Sequence, residues 1–101
     1  MDLNEFKQLG PNKAESLKGF LVLSIDRHYL GYHDGGRLLK IEVEDGRKPN
    51  GQYNLSVYAL SIKNWQPPYD NVKITLEKRK EIADNVSRAL TFLKTNHTIV
   101  W

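Results

Sequence analysis

Residues 75 to about 94 are the one stretch of sustained helical periodicity in this 101-residue chain, and they decide what the rest must supply. Ile82, Val86, Ala89, Leu90 and Leu93 recur at intervals of three and four, a single apolar stripe on an otherwise polar helix. Thr75 is placed to cap its start, and Asp84 and Arg88 have the i,i+4 spacing of an ion pair in its better orientation. One helix with one stripe cannot close a core alone. It needs a sheet to lie on.

The sequence before the helix offers strands. Residues 19–25 are almost continuously apolar, as expected of a strand covered on both faces. Residues 28–33 follow with Tyr29, Leu30 and Tyr32, and Asp34-Gly35-Gly36 reads as a tight turn. Residues 37–44 alternate, with Leu39, Ile41 and Val43 on one face and Lys40, Glu42 and Glu44 on the other. Residues 45–52 are rich in turn formers, and residues 53–60 alternate again, placing Tyr53, Leu55, Val57 and Ala59 together. Pro67-Pro68 excludes helix and central strand, so residues 61–71 are an ordered crossover loop. Residues 98–101 read as a last strand. At the other end, Asp2 and Glu5 have capping-box spacing and Leu3 and Phe6 share a helical face, predicting a short N-terminal helix stopped by Gly10-Pro11, with residues 12–17 as a loop. The expected architecture is one α+β domain over residues 1–101: a mostly antiparallel sheet of about five strands, the long helix on one face and a short helix at the N-terminus.

Composition narrows the function. With no cysteine, disulfides and thiolate metal sites are excluded, which fits a reducing, cytoplasmic setting. The N-terminus lacks the pattern of a secretory signal, and the densest apolar run, residues 20–23, is far short of the ~20 needed to cross a bilayer. Lys and Arg number 15 against 12 Asp and Glu, a net charge of +3. The only tight basic run, Lys78-Arg79-Lys80, is flanked by Glu77 and Glu81, which suits a solvated helix face better than a track for nucleic acid. A small RNA- or DNA-binding module is the alternative, using Arg47, Lys48 and that run with Tyr58 or Tyr69.

Catalysis has little to build on. His28 and His33 are five apart on one strand, so they project to opposite faces and make no metal pair. A ribonuclease using either, assisted by Lys40 or Tyr32, would need groups converging on one substrate, and nothing in the pattern brings them together. Glu42 and Glu44 share a face with Asp45 just beyond. They suit an acidic strip meeting a basic partner, or a plain solvated face, more readily than a metal site. There is no P-loop, Gly-x-Gly-x-x-Gly or Gly-x-Ser-x-Gly motif. No catalytic residue, metal or cofactor is expected.

The most informative segment is Trp65-Gln66-Pro67-Pro68-Tyr69. Aromatic side chains on a proline-stiffened loop have little entropy left to lose on binding, a property of interface anchors. Tyr69, followed by Asp70 and Asn71, is expected to be exposed, and Trp65 to fold back and seal the core. This stretch, with Gly35-Gly36-Arg37, Ile41-Glu42-Val43-Glu44 and the helix carrying Ala89-Leu90 and Phe92, resembles the immunity protein 74 family over roughly residues 28–101. The resemblance implies a cytoplasmic protein encoded beside a polymorphic toxin, including those of contact-dependent growth inhibition, that binds and neutralises one cognate toxin domain, often a nuclease. The candidate partner contacts are Tyr69, Glu42, Glu44, Asp45 and Trp65.

Overall fold

The computed structural model describes residues 5–101. Seven strands, β1 (Phe6–Gly10), β2 (Lys13–Ser16), β3 (Phe20–Ser24), β4 (Tyr29–Asp34), β5 (Arg37–Arg47), β6 (Tyr53–Tyr58) and β7 (His97–Val100), lie side by side in chain order. Every pairing is antiparallel except β6 with β7, which is parallel. A parallel neighbour needs a crossover, and α1 (Leu76–Phe92) supplies it. Thr75 caps the helix, its hydroxyl oxygen accepting from the Lys78 amide at 3.1 Å.

The apolar stripe faces the sheet. Ile82, Val86, Ala89 and Leu90 are buried with Val22, Leu30, Tyr32, Leu39, Ile41, Val43, Leu55 and Val57 in one core, and Leu93 packs half-buried at its margin. Ala83 and Asn85 are buried as well, so the covered face of α1 is wider than the stripe.

Four expectations need correction. The sheet has seven strands, not about five, and residues 6–10 form a strand where a helix was expected. That segment is too short to nucleate a helix in water, whereas pairing around the Gly10-Pro11-Asn12 turn sets Lys7 opposite Glu15 and Phe6 opposite Ser16. Residues 12–17, expected as a loop, contribute β2, in which Ala14 and Ser16 are buried. Asp2 and Leu3 lie outside the described residues. Glu5 is not part of a cap: its carboxylate is buried, accepts from the Ser16 hydroxyl at 2.8 Å and pairs with Arg88 of α1. Arg88 reaches Asn85, whose amide donates to the Tyr32 hydroxyl at 2.9 Å, so a continuous polar network ties β1, β2 and β4 to the helix.

The fourth correction concerns residues 19–25. Phe20 and Val22 are buried, but Leu21 and Leu23 are only half-buried, because among the described residues no second layer covers that side of the sheet. Leu23 and Ile25 close over Gly31 instead: a Cβ there would sit 3.1 Å and 3.2 Å from them.

β5 is the hinge of the sheet. Its first half pairs with β4 and its second half with β6. Beyond the end of β6, the segment after it takes over the edge left bare on the first half of β5. The Ser61 hydroxyl oxygen accepts from the Glu42 amide at 2.9 Å, and the Gln66 amide donates to the Leu38 carbonyl at 2.7 Å.

Candidate functional site

A file of aromatic rings runs through the core and ends at the surface. Phe92 stacks on Phe6 (5.4 Å between centroids), Phe6 meets Phe20 edge-on (5.8 Å), Phe20 stacks on Tyr32 (5.6 Å), and Tyr32 lies 6.4 Å from Trp65. Trp65 is only 2 % exposed, so it folds back and seals this end of the core as expected. Beyond it the Arg37 guanidinium lies over both the Trp65 ring (5.8 Å) and the Tyr69 ring (5.4 Å). Tyr69 is 37 % exposed.

Local structure fixes each of these positions. Gly35 and Gly36 both take positive φ (58° and 82°), the backbone a two-residue hairpin turn demands. That turn sets Arg37 directly opposite Asp34. The Tyr69 loop is closed at its base by a bridge between Asn64 and Lys73. It is tightened at its tip, where the Gln66 carbonyl accepts from the Tyr69 amide at 3.0 Å. Val72 and Ile74 pack the returning arm against the core.

The other three expected partner residues lie elsewhere. Glu42 and Glu44 project from the uncovered face of the sheet into a shallow concavity of about 520 Å³, shared with Tyr29, Lys40, Tyr58, Leu60 and Lys63. Lys40 sits over the Tyr29 ring at 5.6 Å, so the two carboxylates are interleaved with cations and aromatics. Asp45 is on the opposite face, as strict alternation along β5 requires. There it accepts from the Tyr53 hydroxyl at 2.7 Å. The pair borders a cavity of about 370 Å³ floored by Leu30, Val43, Leu55, Leu90 and Leu93. Burial of the hydroxyl, then its bond to Asp45 and the charge of that carboxylate, pushes the Tyr53 pKa up to about 12. Glu42, Glu44 and Asp45 therefore do not form one acidic strip. Arg37 and Asp45, eight residues apart on one face of β5, are separated by roughly 27 Å at ordinary strand rise.

The groups considered for other chemistry are mostly engaged or dispersed. His28 precedes β4 and His33 is exposed on it. The His97 ring bridges the Ser87 hydroxyl (2.8 Å) and the Thr95 carbonyl (2.9 Å). A carbonyl can only accept, so Nδ1 carries a proton there, and the ring is engaged on both nitrogens. Among the described residues no three His, Asp or Glu side chains are grouped to hold a metal. Within the basic run, Lys78 pairs with Glu81 (2.8 Å) and Asp34 (3.1 Å), and the Arg79 Nε donates to the Ile62 carbonyl at 2.8 Å. The Glu81 hydrogen bond and the Asp34 carboxylate raise the Lys78 pKa against the opposing effect of burial. A nucleic-acid track would need these cations free.

A family model, immunity protein 74, matches residues 22–100. The chain belongs to the immunity protein 74 family. No curated protein and no solved structure matches it. The family match begins inside β3 and takes in the Arg37 turn, the Trp65–Tyr69 loop, α1 and β7, while β1 and β2 precede it. Among the described residues, no helix of this immunity protein 74 member is long and apolar enough to cross a membrane. Arg37 is the surface residue that the sequence pattern did not single out. Its signal was present in the Gly-Gly-Arg turn, but its place beside Trp65 and Tyr69 depends on the docking of a loop almost thirty residues away.

Proposed function

We propose that this chain is an immunity protein that binds a cognate bacterial toxin domain, such as a nuclease, and neutralises it by tight protein–protein contact without catalysis of its own. The observation that carries this function is the family match over residues 22–100. The toxin is of the polymorphic, contact-dependent growth-inhibition kind, and neutralisation takes place in the cytoplasm of the cell that makes both proteins.

Tyr69 is the anchor of the interface. Its ring stands on a loop clamped at both ends, so little conformational freedom is lost when a partner covers it. Trp65, buried at this end of the core, shares the Arg37 guanidinium with that anchor. Glu42 and Glu44 on the uncovered sheet face, or Asp45 at the mouth of the Leu90 cavity, answer basic groups on the toxin; the two sites face opposite ways, so one flat partner surface covers only one of them.

Co-expression tests the proposal. The toxin domain encoded beside this chain should arrest growth when expressed alone and lose that effect when the chain is supplied in the same cytoplasm, and the two should co-purify at one to one. Growth arrest that persists despite soluble, folded chain would refute it.

A further inference from the structure

The Arg37 guanidinium is the least explained charged group at this end of the molecule. It is half-buried and lies over two aromatic rings, yet among the described residues no carboxylate comes within ion-pairing distance of it. Asp34, directly across the hairpin, is engaged by Lys78 instead.

A guanidinium drawn to aromatic rings keeps its N–H donors, and those of Arg37 form no ion pair among the described residues. Such a fork of donors is what a carboxylate grips in a two-pronged pair. The rings also restrict the side chain before any partner arrives, which lowers the ordering cost that makes most surface arginine pairs weak.

We propose that Arg37, held against Trp65 and Tyr69, is a preformed seat for a carboxylate of the protein partner, an aspartate or glutamate side chain gripped through both oxygens. This rests on the toxin-binding function above, because the toxin domain supplies the carboxylate. Nucleic-acid phosphate is the poorer fit. A phosphate backbone is held by a series of cations, and the neighbouring Lys78 and Arg79 are already occupied by Glu81, Asp34 and the Ile62 carbonyl. A half-buried guanidinium beside an exposed tyrosine suits a single side chain on a protein surface.

The test has two arms. In the first, the guanidinium N–H signals of the isotope-labelled chain are followed by NMR during titration with N-acetylglutamate amide, with methyl phosphate at matched ionic strength as the comparison. The Arg37 Nε–H should shift in a saturable way with the carboxylate, and more than that of exposed Arg27. A shift no larger than that of Arg27, or a stronger response to methyl phosphate, overturns the proposal. In the second arm, affinity for the neighbouring toxin domain is compared among the wild type, Arg37→Gln and Arg37→Lys, each first shown folded by its near-ultraviolet circular dichroism. Arg37→Gln should weaken binding about 30-fold or more, and Arg37→Lys, which keeps the charge but loses the fork, should recover only part of that. One amide substitution among the toxin's acidic residues should cost nothing further once Arg37→Gln is in place. If the complex forms and Arg37→Gln binds within twofold of wild type, the carboxylate seat is wrong and the immunity function stands. If no complex forms with the wild type, both fall together.

Discussion

Ile82 and Leu93 sit on the same apolar stripe, but the structure separates them in a way that unfolding can measure. Ile82 is fully buried, with 0 % of its surface exposed. Leu93 is half-buried and borders the 370 Å³ cavity between α1 and the sheet. Truncating Ile82 to alanine removes three carbons from a closed site, a loss of about 2.4 kcal/mol in transfer free energy. The void left behind adds about 24 cal/mol for each Å³ that does not collapse. The sum is about 3–4 kcal/mol, inside the ~2–5 kcal/mol usual for such truncations. Leu93→Ala enlarges a space that already opens outward, so it leaves no closed void and forfeits only part of the transfer term, about 1 kcal/mol. Urea unfolding resolves the difference. At a slope of about 1.5 kcal/mol per molar, the midpoint should fall by about 2–2.7 M for Ile82→Ala and about 0.7 M for Leu93→Ala, with unchanged slope. Equal shifts, or a loss below about 1 kcal/mol at Ile82, would show that α1 presents a different face to the sheet.

The two aromatics of the proline loop should separate stability from binding: Trp65→Ala is expected to lower stability by about 3–5 kcal/mol, and Tyr69→Ala to leave the melting curve nearly unchanged while weakening toxin binding by about 2 kcal/mol or more. Reversal of that pattern in paired melting and binding measurements would mean their roles are exchanged. Alkaline titration should find two late tyrosines. Burial raises the Tyr32 pKa to about 12, with the Asn85 hydrogen bond opposing, and Tyr53 is also pushed up to about 12. A raised phenol pKa stabilises the folded state fully below the unfolded value near 10, and that stability is lost as pH climbs from about 10 through about 12. The loss is about 2–3 kcal/mol for fully buried Tyr32, and phenolate absorbance for both groups rising near pH 10 in the folded protein would contradict it. Charge reversal on the basic run should be asymmetric: Lys78→Glu places a third carboxylate beside Asp34 and Glu81 and should cost up to about 1 kcal/mol after solvent screening. Lys80→Glu, just past the first turn of α1, should be neutral or stabilise by a few tenths of a kcal/mol, and equal effects in thermal melts would count against the Lys78 ion pairs.

The local pattern of this chain determined its elements wherever one residue type could satisfy only one conformation. The glycine pair made the Asp34–Arg37 hairpin, the intervals from Ile82 to Leu90 made a one-sided helix, and alternation along residues 37–44 set Leu39, Ile41 and Val43 inward with Glu42 and Glu44 outward. Trp65 and Tyr69 were separable because Asp70 and Asn71 follow Tyr69, whereas Trp65 leads through Gln66 into the proline pair. Tertiary structure decided what local preference leaves degenerate. The spacing of Asp2, Leu3, Glu5 and Phe6 fits the start of a helix, and it was pairing with β2 and the burial of Glu5 against Ser16 and Arg88 that selected a strand over residues 6–10. The same applies to charge. A cation's identity is written in the sequence, but whether it is answered depends on which carboxylate the fold brings near. Asp34 therefore went to Lys78, 44 residues away, rather than to Arg37 across its own turn. Arg37 was left with two aromatic rings and, among the described residues, no carboxylate partner because electrostatic partners are chosen by distance in space, which no spacing along the chain encodes.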